Sequence, residues 1–182
     1  MDHLHPIYTI GHSTRALEEL VALLRAHGVT RLADVRRYPG SRRHPHYSDV
    51  ALALSLPEHG IDYVHFEDLG GRRRPAKNSP NGAWENEQFR GYADYMGTPE
   101  FHAAVDRLLQ TEQTTAVMCA EAVPWRCHRN LLADELTRRG VKVLHIVGPG
   151  SAQRHVLNKM ARIESDRVIY PPEQQPLDFG AL

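Results

Sequence analysis

Cysteine is scarce in this chain. Two residues among 182 cannot form a disulfide framework, which points to a reducing compartment. Net charge is absent as well: 22 basic residues balance 22 acidic ones, so overall charge selects no partner. No apolar run approaches the roughly 18 residues a bilayer span needs. The opening MDHLHPIYTIGHS lacks the basic and apolar segments of a secretory leader, and the cytoplasm is the expected location. There are no repeats or low-complexity blocks, and the 12 histidines are dispersed rather than gathered in a tract. A chain of this length buries roughly 70% of its unfolded surface as one domain without cross-links.

What is present is an alternation of short apolar runs and amphipathic helices. Ile7 to Ile10 reads as a strand stopping at Gly11. Leu17, Leu20, Val21 and Leu24 then recur at helical spacing, with Ser13 or Thr14 as a cap and Gly28 as the stop. Further strands are expected at Leu32 to Val35, Ile61 to Phe66, Thr115 to Cys119 and Val141 to Val147. Helices are expected at Val50 to Leu56, Phe89 to Met96, Glu100 to Leu109, Cys127 or His128 to Arg139, and Ala152 to Ile163. Thr98 and Pro99 fit the cap and first position of a helix. The alternation predicts a single α/β domain over 1–182, a Rossmann-like three-layer sandwich. Its mainly parallel sheet would have five strands, with helices on both faces. The core spans about 7–163, and 164–182 is an extended proline-rich tail. Ligands of such sheets bind outside the carboxyl ends of the strands, so the loops there carry the functional reading.

Four loops are unusual. Gly11, His12 and Ser13 follow the first strand, where a glycine and a helix start suit a phosphate. From Arg31 to Tyr47 there are five arginines against one aspartate, Asp34, with Tyr38, His44, His46 and Tyr47 interleaved. A third loop, LGGRRRPAKNSPNGAW, carries Arg72, Arg73, Arg74 and Lys77. Arginines among aromatic rings suit a phosphate-bearing polymer, and Arg42, Arg43, Arg72, Arg73 and Arg74 form the expected nucleic-acid rim. The fourth loop gathers both cysteines, with Glu121, His128 and Arg129, between Cys119 and Arg129.

Several chemistries fit that last stretch. A cysteine phosphatase loop fails, because six residues separate Cys119 from Arg126 where five are needed, and Glu121 would repel the phosphate. Zinc would find donors in Cys119, Cys127 and His128, with His12 or Glu121 as a fourth. Against it, adjacent Cys127 and His128 are expected to point apart on a helix, so no metal or other cofactor is required. Cys127 at a helix start suits a thiol nucleophile. Cys119 reads as core packing. Glu121, just past a strand end, suits a general base or nucleophile, with Asp34 as its partner. The same carboxylates near arginines also describe a structural salt-bridge network.

These motifs occur together and in order: TIGHST (Thr9 to Thr14), Asp34-Val35-Arg36 with Pro39 and Ser41, Leu69-Gly70-Gly71, and Cys119, Glu121 and Cys127-His128-Arg129. In this the chain resembles the domain-of-unknown-function family numbered 488 over roughly residues 7 to 160. The LLADEL and VLHIVGPG segments fit too. The resemblance implies an α/β fold and marks the same residues, but it implies no substrate.

The expectation is a hydrolase or transferase acting on a nucleotide or nucleic acid. Glu121, Cys127, His128 and Asp34 would be catalytic. Gly11, His12, Ser13, Arg36 and Arg129 would hold the ligand's phosphate. The rivals are a binding module without chemistry, which would tolerate Glu121→Gln, and a cysteine-based redox or metal sensor.

Overall fold

The computed structural model describes residues 5–40 and 42–173. Ser41 and the stretch 174–182 of the expected tail lie outside the described residues. The order of elements is β1 (Ile7–Gly11), α1 (Leu17–Ala26), β2 (Arg31–Asp34), α2 (Asp49–Ser55), β3 (Asp62–His65), α3 (Glu87–Tyr95), α4 (Pro99–Leu109), β4 (Thr115–Cys119), α5 (Arg129–Arg138), β5 (Val143–Ile146), β6 (Gln153–Arg154), β7 (Arg162–Glu164) and β8 (Arg167–Ile169). Single 3-10 turns intervene, among them Pro45–Tyr47 and Pro124–Arg126.

Among the described residues the main sheet has six strands in the order β3-β2-β4-β1-β5-β6. The first five run parallel, and β6 joins β5 antiparallel. The Rossmann-like expectation agrees with this α/β architecture, but the sheet has six strands rather than five. The sixth comes from a segment expected to be helical. Residues 152–163 form β6, a turn and the start of the β7–β8 hairpin instead. The free edge of β5 offers unpaired backbone groups, which Gln153 and Arg154 satisfy. Asn158 then donates its backbone N–H to Asp134 and closes a turn with Ala161. The chain remains packed beyond residue 163, with Val168 and Tyr170 buried.

Strand alternation divides the interior into two cores. Ile10, Leu32, Ala116, Met118 and Ile146 face α1 and α2. Ile7, Ala33, Val117, Cys119 and Val143 face α3, α4 and α5. Local chemistry sets several boundaries as the sequence predicts. Thr98 caps α4 ahead of Pro99, and Gly60 takes a left-handed φ of 73° after α2. The expected Ser13 or Thr14 cap does not form, because α1 starts later, after Ala16.

The strand order creates one crevice. The connection leaving β2 runs through α2 to the β3 edge on one face. The one leaving β4 runs through α5 to β5 on the other face. The neighbours β2 and β4 therefore send their chains apart, and the gap opens at their carboxyl ends. Among the described residues, no helix is long and apolar enough to cross a membrane.

Candidate functional site

At that gap lies a cleft of about 270 Å3, lined by residues that follow three strands and by α3. Arg36, Arg37 and Tyr38 come after β2, Gly71 and Arg72 after β3, and Gln88 and Phe89 from α3. Cys119, Ala120, Glu121, Arg126, Cys127 and His128 come from β4 and the segment leading into α5.

The floor is made by sulfur and imidazole. His128 Nδ1 lies 3.6 Å from Cys127 Sγ and 4.0 Å from Cys119 Sγ. His128 Nε2 stands 3.1 Å from the Val35 carbonyl. A carbonyl only accepts, so in the neutral ring Nε2 carries the hydrogen and Nδ1 turns its lone pair toward both sulfurs. Cys127 and His128 converge although adjacent. Cys127 is extended (φ −139°, ψ 147°) at the end of the Pro124–Arg126 turn, and His128 stands at the entry to α5. The argument that neighbours on a helix point apart therefore does not apply here.

Both thiols are free and buried. Cys119 is held well below the usual thiol range, first by the hydrogen bond it receives from Cys127 and then by the Arg129 charge, against the opposing effect of burial. Cys127 is pushed well above that range by burial and by its bond to the Cys119 sulfur. Cys119 is thus the more acidic sulfur of the pair. The sequence reading of Cys119 as a core residue holds, and the partners it meets there were not legible. Its strand position is that of a core residue, but it is the last residue before a chain reversal that brings Cys127 back beside it.

The other predicted residues separate into lining and scaffold. Glu121 is exposed and lines the cleft. Asp34 is fully buried. It accepts hydrogen bonds from Arg36 Nε at 2.9 Å and Nη2 at 2.6 Å, and from the Tyr63 hydroxyl at 2.7 Å. Arg36 also donates to the Tyr47 carbonyl and meets His12 Nε2 at 3.3 Å. Asp34 is thereby engaged as a structural acceptor and does not line the cleft. We expect Asp34→Asn to lower stability by roughly 2 kcal/mol, the cost of weakening a buried charge-assisted pair. Urea unfolding checks this, and an unchanged midpoint would remove the structural assignment.

Gly11, His12 and Ser13 are not in the lining. The backbone N–H groups of His12 and Ser13 donate to the Cys119 and Ala120 carbonyls, so they are not open to an anion. The His12 ring stacks on Tyr47 at 4.2 Å, and burial lowers its pKa. Arg129 is 1% exposed behind the cleft, where Nη2 donates to the Ala122 carbonyl while Nε and Nη1 have no hydrogen-bond partner among the described residues. Of the predicted rim, Arg72 lines the cleft, while Arg42, Arg43 and Arg74 are exposed away from it. Arg73 is tied down over the Tyr95 ring at 3.8 Å and donates to the Gly70 carbonyl.

The long 70–84 loop is pinned by a residue the sequence reading passed over. Asp94 of α3 accepts from the Ala76 backbone, the Ser79 hydroxyl and the Asn81 amide. Arg37, Tyr38, Gln88, Phe89 and Arg126 also line the cleft without having been singled out as site residues. Tyr38 is 61% exposed, and Arg37 and Arg72 lie over its ring at 5.7 and 5.8 Å. The signal for this cluster was in the sequence, as aromatic residues interleaved with arginines.

Comparison with known proteins gives a family and no function. No curated protein and no solved structure matches the chain. Residues 16–136, two thirds of the sequence, match the family model described as Domain of unknown function DUF488, and the chain belongs to that family.

Proposed function

We propose that the cleft is the active site of a hydrolase or transferase acting on a phosphate-bearing ligand, a nucleotide or a nucleic-acid strand. The observation that carries this reading is convergence. Two thiols of unequal acidity, an imidazole and a carboxylate meet in one cleft whose mouth holds Arg37, Arg72 and Arg126. Arg37 and Arg72 flank Tyr38, and Phe89 supplies a second ring, a pairing that suits phosphate beside a stacked base. These arginines replace Arg36 and Arg129 as the phosphate contacts, because those two are engaged or enclosed. The cleft is near the small end of ligand pockets, about 300 Å3 and upward, which favours a mononucleotide or one strand over a duplex. In this reading Glu121, which lines the cleft with the sulfur–imidazole cluster, transfers a proton to or from the reacting group. Free thiols at such a site suit the reducing cytoplasm.

The test is fluorescence anisotropy with a labelled single-stranded oligonucleotide, competed by mononucleotides. Three arginine–phosphate contacts predict a slope of log K against log salt of about −2. Absence of binding at low salt would end the phosphate reading. Once a turned-over substrate is in hand, Glu121→Gln should lower kcat by roughly 100-fold or more. Its melting temperature should hold, because the side chain is exposed. A binding module without chemistry would lose nothing on that substitution.

A further inference from the structure

We infer that Cys119, Cys127 and His128 form a zinc site whose fourth position opens into the cleft. Their three donor atoms lie within 4.8 Å of one another. Tetrahedral zinc with Zn–S near 2.3 Å and Zn–N near 2.0–2.1 Å places sulfur and nitrogen ligands about 3.6 Å apart. The two sulfur–nitrogen separations here are 3.6 and 4.0 Å, close to that value, and the sulfurs lie within 4.8 Å of each other, so the three donors need only draw together around the ion.

Two further features fit a metal. The first is the 3.1 Å contact of His128 Nε2 with the Val35 carbonyl. Histidine ligands of zinc are held by such an outer bond, which leaves the other nitrogen bare for the ion. The second is Gly71. A Cβ at that position would lie 2.9 Å from His128 Nδ1, so the glycine keeps the space beside the donor nitrogen open. The three ligands sit on fixed parts of the fold: the end of β4, the end of the Pro124–Arg126 turn and the start of α5. Backbone hydrogen bonds from His12 to the Cys119 carbonyl and from Asn130 to the Cys127 carbonyl hold them there. Two sulfurs and an imidazole select zinc over magnesium, calcium or manganese, which prefer oxygen.

All three ligands line the cleft, so the remaining position faces it. That is the pattern of catalytic zinc, with three protein ligands and a water. Glu121 lines the same cleft two residues beyond Cys119. A glutamate two residues past a zinc ligand moves protons for the bound water in zinc deaminases. If the cleft is a hydrolase site as proposed above, the bound water is the nucleophile. Its oxygen forms the new bond to the substrate, Glu121 takes its proton, and that proton passes to the departing group as the old bond breaks. Water is the one co-reactant. The metal site itself does not depend on that reading.

The experiment uses the full chain without a histidine tag, purified under a non-thiol reductant and without chelator. Elemental analysis should find about one zinc per chain. After removal of the metal, cobalt(II) added to the protein should give the thiolate charge-transfer band in the near ultraviolet and the intense visible bands of a tetrahedral site. Both signals should disappear in Cys127→Ser and His128→Ala, weaken in Gly71→Ala, and persist in Glu121→Gln. The cobalt spectrum of the unsubstituted protein decides the matter even if a variant misfolds. Absence of those bands, or zinc retained equally by a folded Cys119→Ser/Cys127→Ser double variant, would overturn the site. Zinc without nucleotide binding would overturn the proposed phosphate substrate alone. Nucleotide binding without any metal would overturn the zinc site alone.

Discussion

Gly11→Val should leave little folded protein, and Gly11→Ala should cost about 3 kcal/mol or more. A Cβ on Gly11 would stand 1.7 Å from the Glu121 carbonyl oxygen and 2.8 Å from Arg129 Nη1. The first obstacle is backbone, so no side-chain rotation relieves it. The loop after β4 lies directly on the end of β1, and Gly11 pairs in register with Cys119. Moving that loop would also strain the His12 and Ser13 hydrogen bonds to the Cys119 and Ala120 carbonyls. A valine adds volume and a β-branch in the same space. Melting temperature and urea midpoint measure the loss. A Gly11→Ala protein within 1 kcal/mol of the parent would show that the two chain segments can separate. The chain's own backbone is therefore reason enough for a glycine here. Loosening of the loop should also displace Cys119 and Glu121, so any surviving variant should bind zinc and ligand less well.

The same position shows where the sequence was readable. Gly11 after an apolar run announces a close approach, but not what approaches, since the answer lies more than a hundred residues away. Most local signals held where their cause was local, the Ser13 or Thr14 cap excepted. The leucines and valine of α1, the Thr98 cap and the close at Gly60 of the turn that follows α2 depend on neighbours in the chain. The segment 152–163 failed because its partners are distant: β5 for pairing and Asp134 for anchoring. At the site, Glu121, Cys127 and His128 were legible from their place after a strand end. Asp34 and Arg36 were legible as chemistry and turn out to hold each other. Cys119 is buried in the core as its strand position implied, but strand position alone cannot show that a returning segment sets a second thiol and an imidazole beside it.

A buried relay on the far side of α5 makes the second large prediction. Thr9 Oγ1 meets His145 Nδ1 at 2.7 Å, His145 Nε2 meets His155 Nδ1 at 2.9 Å, and His155 Nε2 meets Asp134 Oδ1 at 2.8 Å. Asp134 only accepts, which fixes the direction of the chain: His155 donates to Asp134, His145 to His155, and Thr9 to His145. The Tyr170 hydroxyl adds a 2.7 Å bond to Asp134 Oδ2, and the Asn158 N–H a 3.0 Å bond to Oδ1. Asp134→Ala leaves two buried donors and one half-buried donor without an acceptor and should cost roughly 3–5 kcal/mol, read as a fall in the urea midpoint. It should also free the 155–170 segment, which Asp134 ties to α5, so amide exchange there should quicken first. Acid acts on the same relay. Burial and then the facing His155 lower the His145 pKa from 6.5 to about 3. Between those values the unfolded chain holds a proton at this residue that the folded chain does not. Its contribution to stability is therefore complete above about pH 6.5 and is lost as pH falls toward 3, at up to about 1.4 kcal/mol per pH unit. Burial lowers the His12 pKa too, which adds loss of the same sign. Urea unfolding at a series of pH values should show this slope, and His145→Gln should flatten it while lowering stability at neutral pH. A slope that survives His145→Gln unchanged would assign the acid sensitivity to other groups and leave the relay a purely neutral hydrogen-bond chain.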